Sequence, residues 1–173
     1  MSIATGAVGD AIDAKVLRRA MGAYATGVTV VTVGGAALHA MTANSFTSVS
    51  LNPPLVLVCI DHKAVMHRAL SGADHFGVSV LTAGQQEVAR HFADNSRTLG
   101  AVQFENVACR PGRYTGAPLI DGALATFECE LWDAHDAGDH TIFLGRVLSL
   151  QTQDREDGLL YFRGGFRRIE RAS

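Results

Sequence analysis

Three stretches of the 173-residue chain carry side chains whose types and spacing could do chemistry. The first, MTANSFTSVSLNPP (41–54), gathers the hydroxyls of Thr42, Ser45, Thr47, Ser48 and Ser50 and the amide of Asn44, with no acid or base among them. Such groups donate and accept hydrogen bonds at any ordinary pH. They suit a flat heteroaromatic ring with several carbonyls and ring nitrogens, or a phosphate, and equally a surface loop whose Ser and Asn cap turns. The second, HDAGDH (135–140), sets His135 and His140 around Asp136 and Asp139 directly before a strand-like run. Imidazole and carboxylate are ordinary metal ligands. Gly138 breaks any helix, however, so nothing aligns the two histidines, and no cysteine or third histidine lies near in sequence. A turn that projects His140 at a strand mouth is the preferred reading, with its imidazole free to hydrogen-bond or handle a proton near neutral pH. The third, YFRGGFRR (161–168), interleaves Tyr161, Phe162 and Phe166 with Arg163, Arg167 and Arg168. Aromatic and guanidinium groups can stack on a ring and meet phosphates, or form a terminal strand with solvated arginines.

Other chemistries find little support. His39, His62, His67, His75 and His91 are scattered, and no GxSxG elbow accompanies them, which disfavours a Ser-His-Asp hydrolase. Neither GxGxxG nor GxxxxGK[ST] occurs, so dinucleotide or triphosphate binding of those types is not indicated. Cys59, Cys109 and Cys129 are sparse, odd in number and without CxxC spacing, as reduced cytoplasmic thiols are. Fifteen basic and 17 acidic residues are spread along the chain for a net charge of -2, so neither nucleic acid nor a membrane surface is an expected partner. The N-terminus lacks a basic segment followed by an apolar run, and no stretch reaches about 18 apolar residues. The expectation is one cytoplasmic domain over 1–173, with 1–13 as a flexible tail.

The elements that must position these groups follow from periodicity. From Asp13, Val16, Leu17, Ala20, Met21 and Tyr24 recur at helical spacing with Lys15, Arg18 and Arg19 toward water, and Gly27 is read as the stop. VTVVTV (28–33) and ALHAMTAN (37–44) flank Gly34-Gly35 as a hairpin. Pro53-Pro54 interrupts before LVLVCI (55–60), whose continuous apolar run predicts a strand buried on both faces. A short helix over 63–71, a strand over 75–81 and a helix over 85–93 burying Val88, Ala89 and Phe92 come next. Residues 94–122 read mostly as a covering loop. ALATFECEL (123–131) alternates, predicting a strand with Thr126, Glu128 and Glu130 on a wet face. HTIFLGRVLSL (140–150) reads as a long strand, and LLYFRGGFRRI (159–169) as a hairpin around Gly164-Gly165. Six or seven strands without regular βαβ alternation predict a mainly antiparallel β fold, a barrel or sandwich with helices outside.

Taken together in order, RRAMGAYATGVTVVT, MTANSFTSVSLNPPLVLVCI, RHFADNS, TGAPLIDGALATFEC and AGDHTIFLGRV resemble the short-chain flavin reductase family, the reductase components of two-component flavin-dependent monooxygenases such as 4-hydroxyphenylacetate 3-monooxygenase. The resemblance runs over roughly 15–168. It implies a split β-barrel of FMN-binding type, with peripheral helices, that dimerises and holds exchangeable FMN or FAD near the subunit interface. It implies hydride transfer from NADH or NADPH to that flavin and delivery of reduced flavin to a monooxygenase. By the same resemblance Thr42, Ala43, Asn44 and Ser45 lie along the isoalloxazine ring, and Ser48, Ser50, Cys59, Ile60 and Asp61 approach its edge, ribityl chain or phosphate. Phe92 lies beside the flavin, His140 acts at the nicotinamide as the catalytic position, and Tyr161, Arg163 and Phe166 complete the cofactor-binding set. No metal is implied. Two other readings stay open: a split-barrel flavin carrier or sensor without NADH turnover, and a flavoenzyme of the pyridoxamine-phosphate-oxidase type.

Overall fold

A computed structural model describes residues 12–154 and 157–169. Most of the tail expected over 1–13 lies outside the described residues. Asp13, its last residue, is instead the N-cap of α1 (Ala14–Met21), accepting from the amides of Lys15 at 2.8 Å and Val16 at 3.1 Å. The helix stops at Gly22, five residues before the expected Gly27, which sits in the two-residue β1 (Thr26–Gly27).

Seven strands form one antiparallel sheet: β2 (Thr29–Val33), β3 (His39–Ala43), β4 (Thr47–Leu51), β5 (Pro54–Asp61), β6 (His75–Val80), β9 (Ala125–Ala137) and β10 (His140–Thr152). Their spatial order is β3-β2-β6-β9-β10-β5-β4. β3 and β4 are the two edges, so the sheet curls without closing on itself among the described residues. The mainly β, antiparallel class expected from the sequence is thus observed. β11 (Leu160–Phe162) and β12 (Gly165–Arg167) pair with β1 in a small second sheet, and β7 (Cys109–Pro111) pairs with β8 (Pro118–Ile120).

The strand buried on both faces is β2, every residue of which is enclosed. Val31 and Val33 face a core completed by α2 (Val65–Ser71) through Met66 and Leu70. Val30 faces a second core completed by α3 (Gln86–Ala93) through Ala89 and Phe92. The run at 55–60 differs from its expectation: Val56, Val58 and Ile60 are buried, while Leu55, Leu57 and Cys59 alternate as half-exposed. β5 lies next to the edge strand, and among the described residues its outer face stays half-exposed.

The expected wet face of 123–131 is also partly covered. Thr126 and Glu128 are buried, and the segment between β7 and β8 folds over Glu128. Glu128 accepts from the amides of Tyr114 at 2.7 Å and Thr115 at 3.0 Å and from the Thr115 hydroxyl at 3.1 Å. The covering role expected for 94–122 is therefore real, and a buried carboxylate anchors part of it. β9 runs on through HDA, so HDAGDH is the tip of the long β9–β10 hairpin, turning at Gly138 with φ of 72°.

Candidate functional site

The link Asn44–Phe46 joins β3 to β4 and lies outside both ladders. The hydroxyls around it are mostly committed to the protein. Thr42 Oγ1 donates to the Ala89 carbonyl at 2.8 Å, pinning β3 to α3. Ser45 Oγ donates to the Cys59 carbonyl and accepts from the Cys59 amide, both at 3.0 Å, which clamps the link onto β5. Ser50 Oγ accepts from the Asn52 amide at 3.2 Å and shapes the turn before Pro54. The sequence left these hydroxyls open as ligand groups or as turn caps: Ser50 caps a turn, and Thr42 and Ser45 tie β3 and the Asn44–Phe46 link to neighbouring elements.

Beside this link stands the β11–β12 hairpin. Register pairs Tyr161 with Phe166, whose rings sit 5.7 Å apart at 68°, and the Arg90 guanidinium lies 5.5 Å over Phe166. Between link and hairpin opens a cleft of about 210 Å³ lined by Val28, Thr42, Asn44, Ala93, Tyr161 and Phe166. It has one aromatic wall, apolar flanks and neutral polar groups on the opposite side. That combination fits the edge of a flat, hydrogen-bonding ring.

A second cleft, of about 470 Å³, is lined by Asp61, Lys63, Asn95, Arg97 and His39 among others. The Asp61 carboxylate accepts from the Lys63 amide at 2.7 Å and shapes the turn into α2. Arg97 donates to the carbonyls of Asp94, at 2.6 Å, and Ala40, and lies 5.7 Å over the Phe92 ring. His39 is buried, and burial followed by the Arg97 charge lowers its pKa to about 4, so its ring is neutral at neutral pH.

His140 occupies the hairpin tip opposite Asp61 of β5, with its side chain 41% exposed. Its Nδ1 lies 2.7 Å from Asp139 Oδ1, and this hydrogen bond holds the Asp139 carboxyl below its ordinary range. With Nδ1–H donating to the carboxylate, Nε2 is left as the ring's acceptor.

The model of the flavin reductase like domain matches residues 21–170. The chain belongs to that family. It is 53% identical over 160 residues to an NADH-dependent FAD reductase of Streptomyces globisporus, covering 92% of this chain and 88% of that one. The structure is similar to that of the flavin reductase component of a bacterial two-component tryptophan halogenase, at TM-score 0.88 and 54% identity, covering 92% of this chain and 100% of that one. An NADH:FAD oxidoreductase of Streptomyces globisporus C-1027 in complex with NAD and FAD fragments matches at TM-score 0.87 and 49% identity, over 95% and 98% of the two chains.

In this flavin reductase like domain the residues singled out from sequence fall into groups. Thr42, Asn44, Tyr161 and Phe166 share the smaller cleft although more than a hundred positions separate the two pairs. Asp61 opens on the larger cleft and pairs in register with His140. Ser48 and Ser50 lie on the edge strand β4. Ala43, Ile60 and Phe92 are buried, so Ala43 and Ile60 could offer a ligand only backbone, and Phe92 supports the cleft from behind while its neighbour Ala93 lines it. Arg163 faces a third cleft, between the hairpin and α1. Val28, Ala93, His39, Asn95 and Arg97 were not singled out. Arg97 directly follows the RHFADNS motif, and its position beside a helix was the one signal available for it.

Proposed function

We propose that this chain is an NADH-dependent flavin reductase that takes FMN or FAD as an exchangeable substrate and releases reduced flavin to a separate monooxygenase. The observation that carries the reading is the cleft where Thr42 and Asn44 meet Tyr161 and Phe166, in a chain 53% identical to an NADH-dependent FAD reductase. Reduced nicotinamide supplies a hydride and the flavin ring accepts it, so the protein needs no side-chain nucleophile. Its work is to stack and orient two rings at about 3–3.5 Å and to keep water out. The thiols fit a passive role: burial raises the pKa of Cys59, Cys109 and Cys129, the last to about 12.

In this reading Tyr161 and Phe166 wall the ring, and the Asn44–Phe46 backbone with the Asn44 amide meets its polar edge. Cys59, Ile60 and Asp61 run beside the ribityl chain or phosphate, with Ser48 and Ser50 on the neighbouring strand. Backbone amides and the Asn44 amide stabilise the negative charge that reduction places on the ring, and among the described residues no cation lines that cleft to retain the product. The Nε2 of His140 is suited to accept from the carboxamide of the nicotinamide. The curled sheet belongs to a split β-barrel of FMN-binding type, and the chain acts as a cytoplasmic homodimer that holds the flavin near the subunit interface. Supplying FMN, FAD and riboflavin in turn with NADH or NADPH, and following the nicotinamide absorbance, tests the activity. Flavin binding without NADH oxidation would transfer the chain to the carrier or sensor reading, and flavin that survives extensive dialysis would end the exchangeable-substrate account.

A further inference from the structure

A cleft of about 810 Å³ lies between α1 and the β11–β12 hairpin. Lys15, Arg18, Arg19 and Arg163 line it, and among the described residues no acid does. Among the described residues none of these four cations is in an ion pair. In a chain of net charge -2 such a concentration of one sign is local, and it attracts and concentrates anions.

The backbone gives a second, independent pointer. Arg163 has φ of 49°, the one positive value at a residue other than glycine among the described residues. Arginine is disfavoured there by roughly 1 kcal/mol relative to glycine, which adopts this conformation freely. The turn continues into Gly164 at φ of 77°, and the Arg163 amide donates to the Gly22 carbonyl at 2.8 Å, docking the hairpin on the end of α1. A side chain retained in a strained conformation beside three unpaired cations is the pattern of a binding group. The same hairpin walls the ring cleft with Tyr161 and Phe166, so both clefts border one hairpin.

We infer that Arg163, with Arg18, Arg19 and Lys15, forms a cradle for the diphosphate of a dinucleotide bound beside the β11–β12 hairpin. The inference rests on the functional reading above. Two substrates carry that diphosphate, NADH and FAD, and each has a mononucleotide counterpart that lacks it. Guanidinium forks match such oxygens with paired, charge-assisted hydrogen bonds, so the cradle discriminates dinucleotide from mononucleotide.

The test compares wild type with Arg163→Gly and with an Arg18→Ser/Arg19→Ser double variant. Arg163→Gly relieves the positive φ, so its thermal midpoint should hold or rise. For each protein the KM is measured for NADH and for reduced nicotinamide mononucleotide, and the Kd for FAD and for FMN by flavin fluorescence without NADH. The cradle predicts that one dinucleotide constant rises about tenfold while its mononucleotide counterpart stays within about twofold. A rise for NADH assigns the cleft to the nicotinamide donor, and a rise for FAD assigns it to the flavin. Dinucleotide constants that do not move, or that move together with those of the mononucleotides, would overturn it. Absence of NADH oxidation by wild type would instead remove the functional reading, and the FAD and FMN binding arms would still decide the cradle.

Discussion

Thr42 and Ser45 do their work one step back from any ligand, each spending its hydroxyl on a backbone group of another element. Thr42→Val keeps the shape and removes the bond to Ala89. It should cost about 1 kcal/mol in denaturant unfolding and weaken flavin binding as α3 loosens, and an unchanged Kd would separate the pin from the site. His140→Ala should leave flavin affinity intact while the KM for NADH rises about tenfold. An identical steady-state profile would remove His140 from the nicotinamide site. His39 gives a pH effect whose sign is fixed by burial. Its folded pKa of about 4 lies below the ordinary 6.5, so the unfolded chain takes up a proton first as pH falls. Stability is therefore full above pH 6.5 and falls toward pH 4, with a limiting slope of about 1.4 kcal/mol per pH unit from this residue. Chemical denaturation across that range should show the slope in wild type and lose it in His39→Leu. Residue types at 41–54 were legible as neutral and polar, but which hydroxyls are consumed internally depends on α3 and β5, and no local spacing records that.

At the scale of elements, periodicity located most strands and helices, because alternation and helical spacing directly reflect which side chains turn inward. The exceptions have tertiary causes. α1 ends at Gly22 because the hairpin turn at Arg163 meets its C-terminus, and Glu128 is buried because a loop from elsewhere in the chain brings it three donors. Gly145 is a contact invisible in sequence: a Cβ there would overlap the Phe76 ring and press on Cys129, where β10 and β9 shift register. Gly145→Ala should destabilise the fold by about 1–3 kcal/mol by overpacking, read as a lower denaturation midpoint at constant m value. An unchanged midpoint would mean the sheet yields there at no cost.

For the whole molecule, the apolar residues left outside the two cores are informative. Leu51 is 94% exposed on the edge strand, Val49 is exposed beside it, and Leu55 and Leu57 are half-exposed on β5. Along α1, Val16, Leu17 and Met21 are exposed, as is Tyr24 just beyond it, although the sequence read them as the inward face of an amphipathic helix. The periodicity was legible, but among the described residues that face stays exposed. Such surfaces are what a second copy would cover. Light scattering should give twice the 18.4 kDa chain mass, and Leu51→Asp with Leu57→Asp should shift it toward monomer; a monomeric wild type would contradict the dimer. The central claim, that the chain reduces a flavin it does not keep, is tested most directly by mixing extensively dialysed protein with NADH and a large excess of free FAD or FMN. The account predicts NADH oxidation that continues far beyond one equivalent per protein, at a rate that saturates with added flavin. NADH consumption that stays absent, or that stops at one equivalent regardless of the flavin supplied, would contradict it.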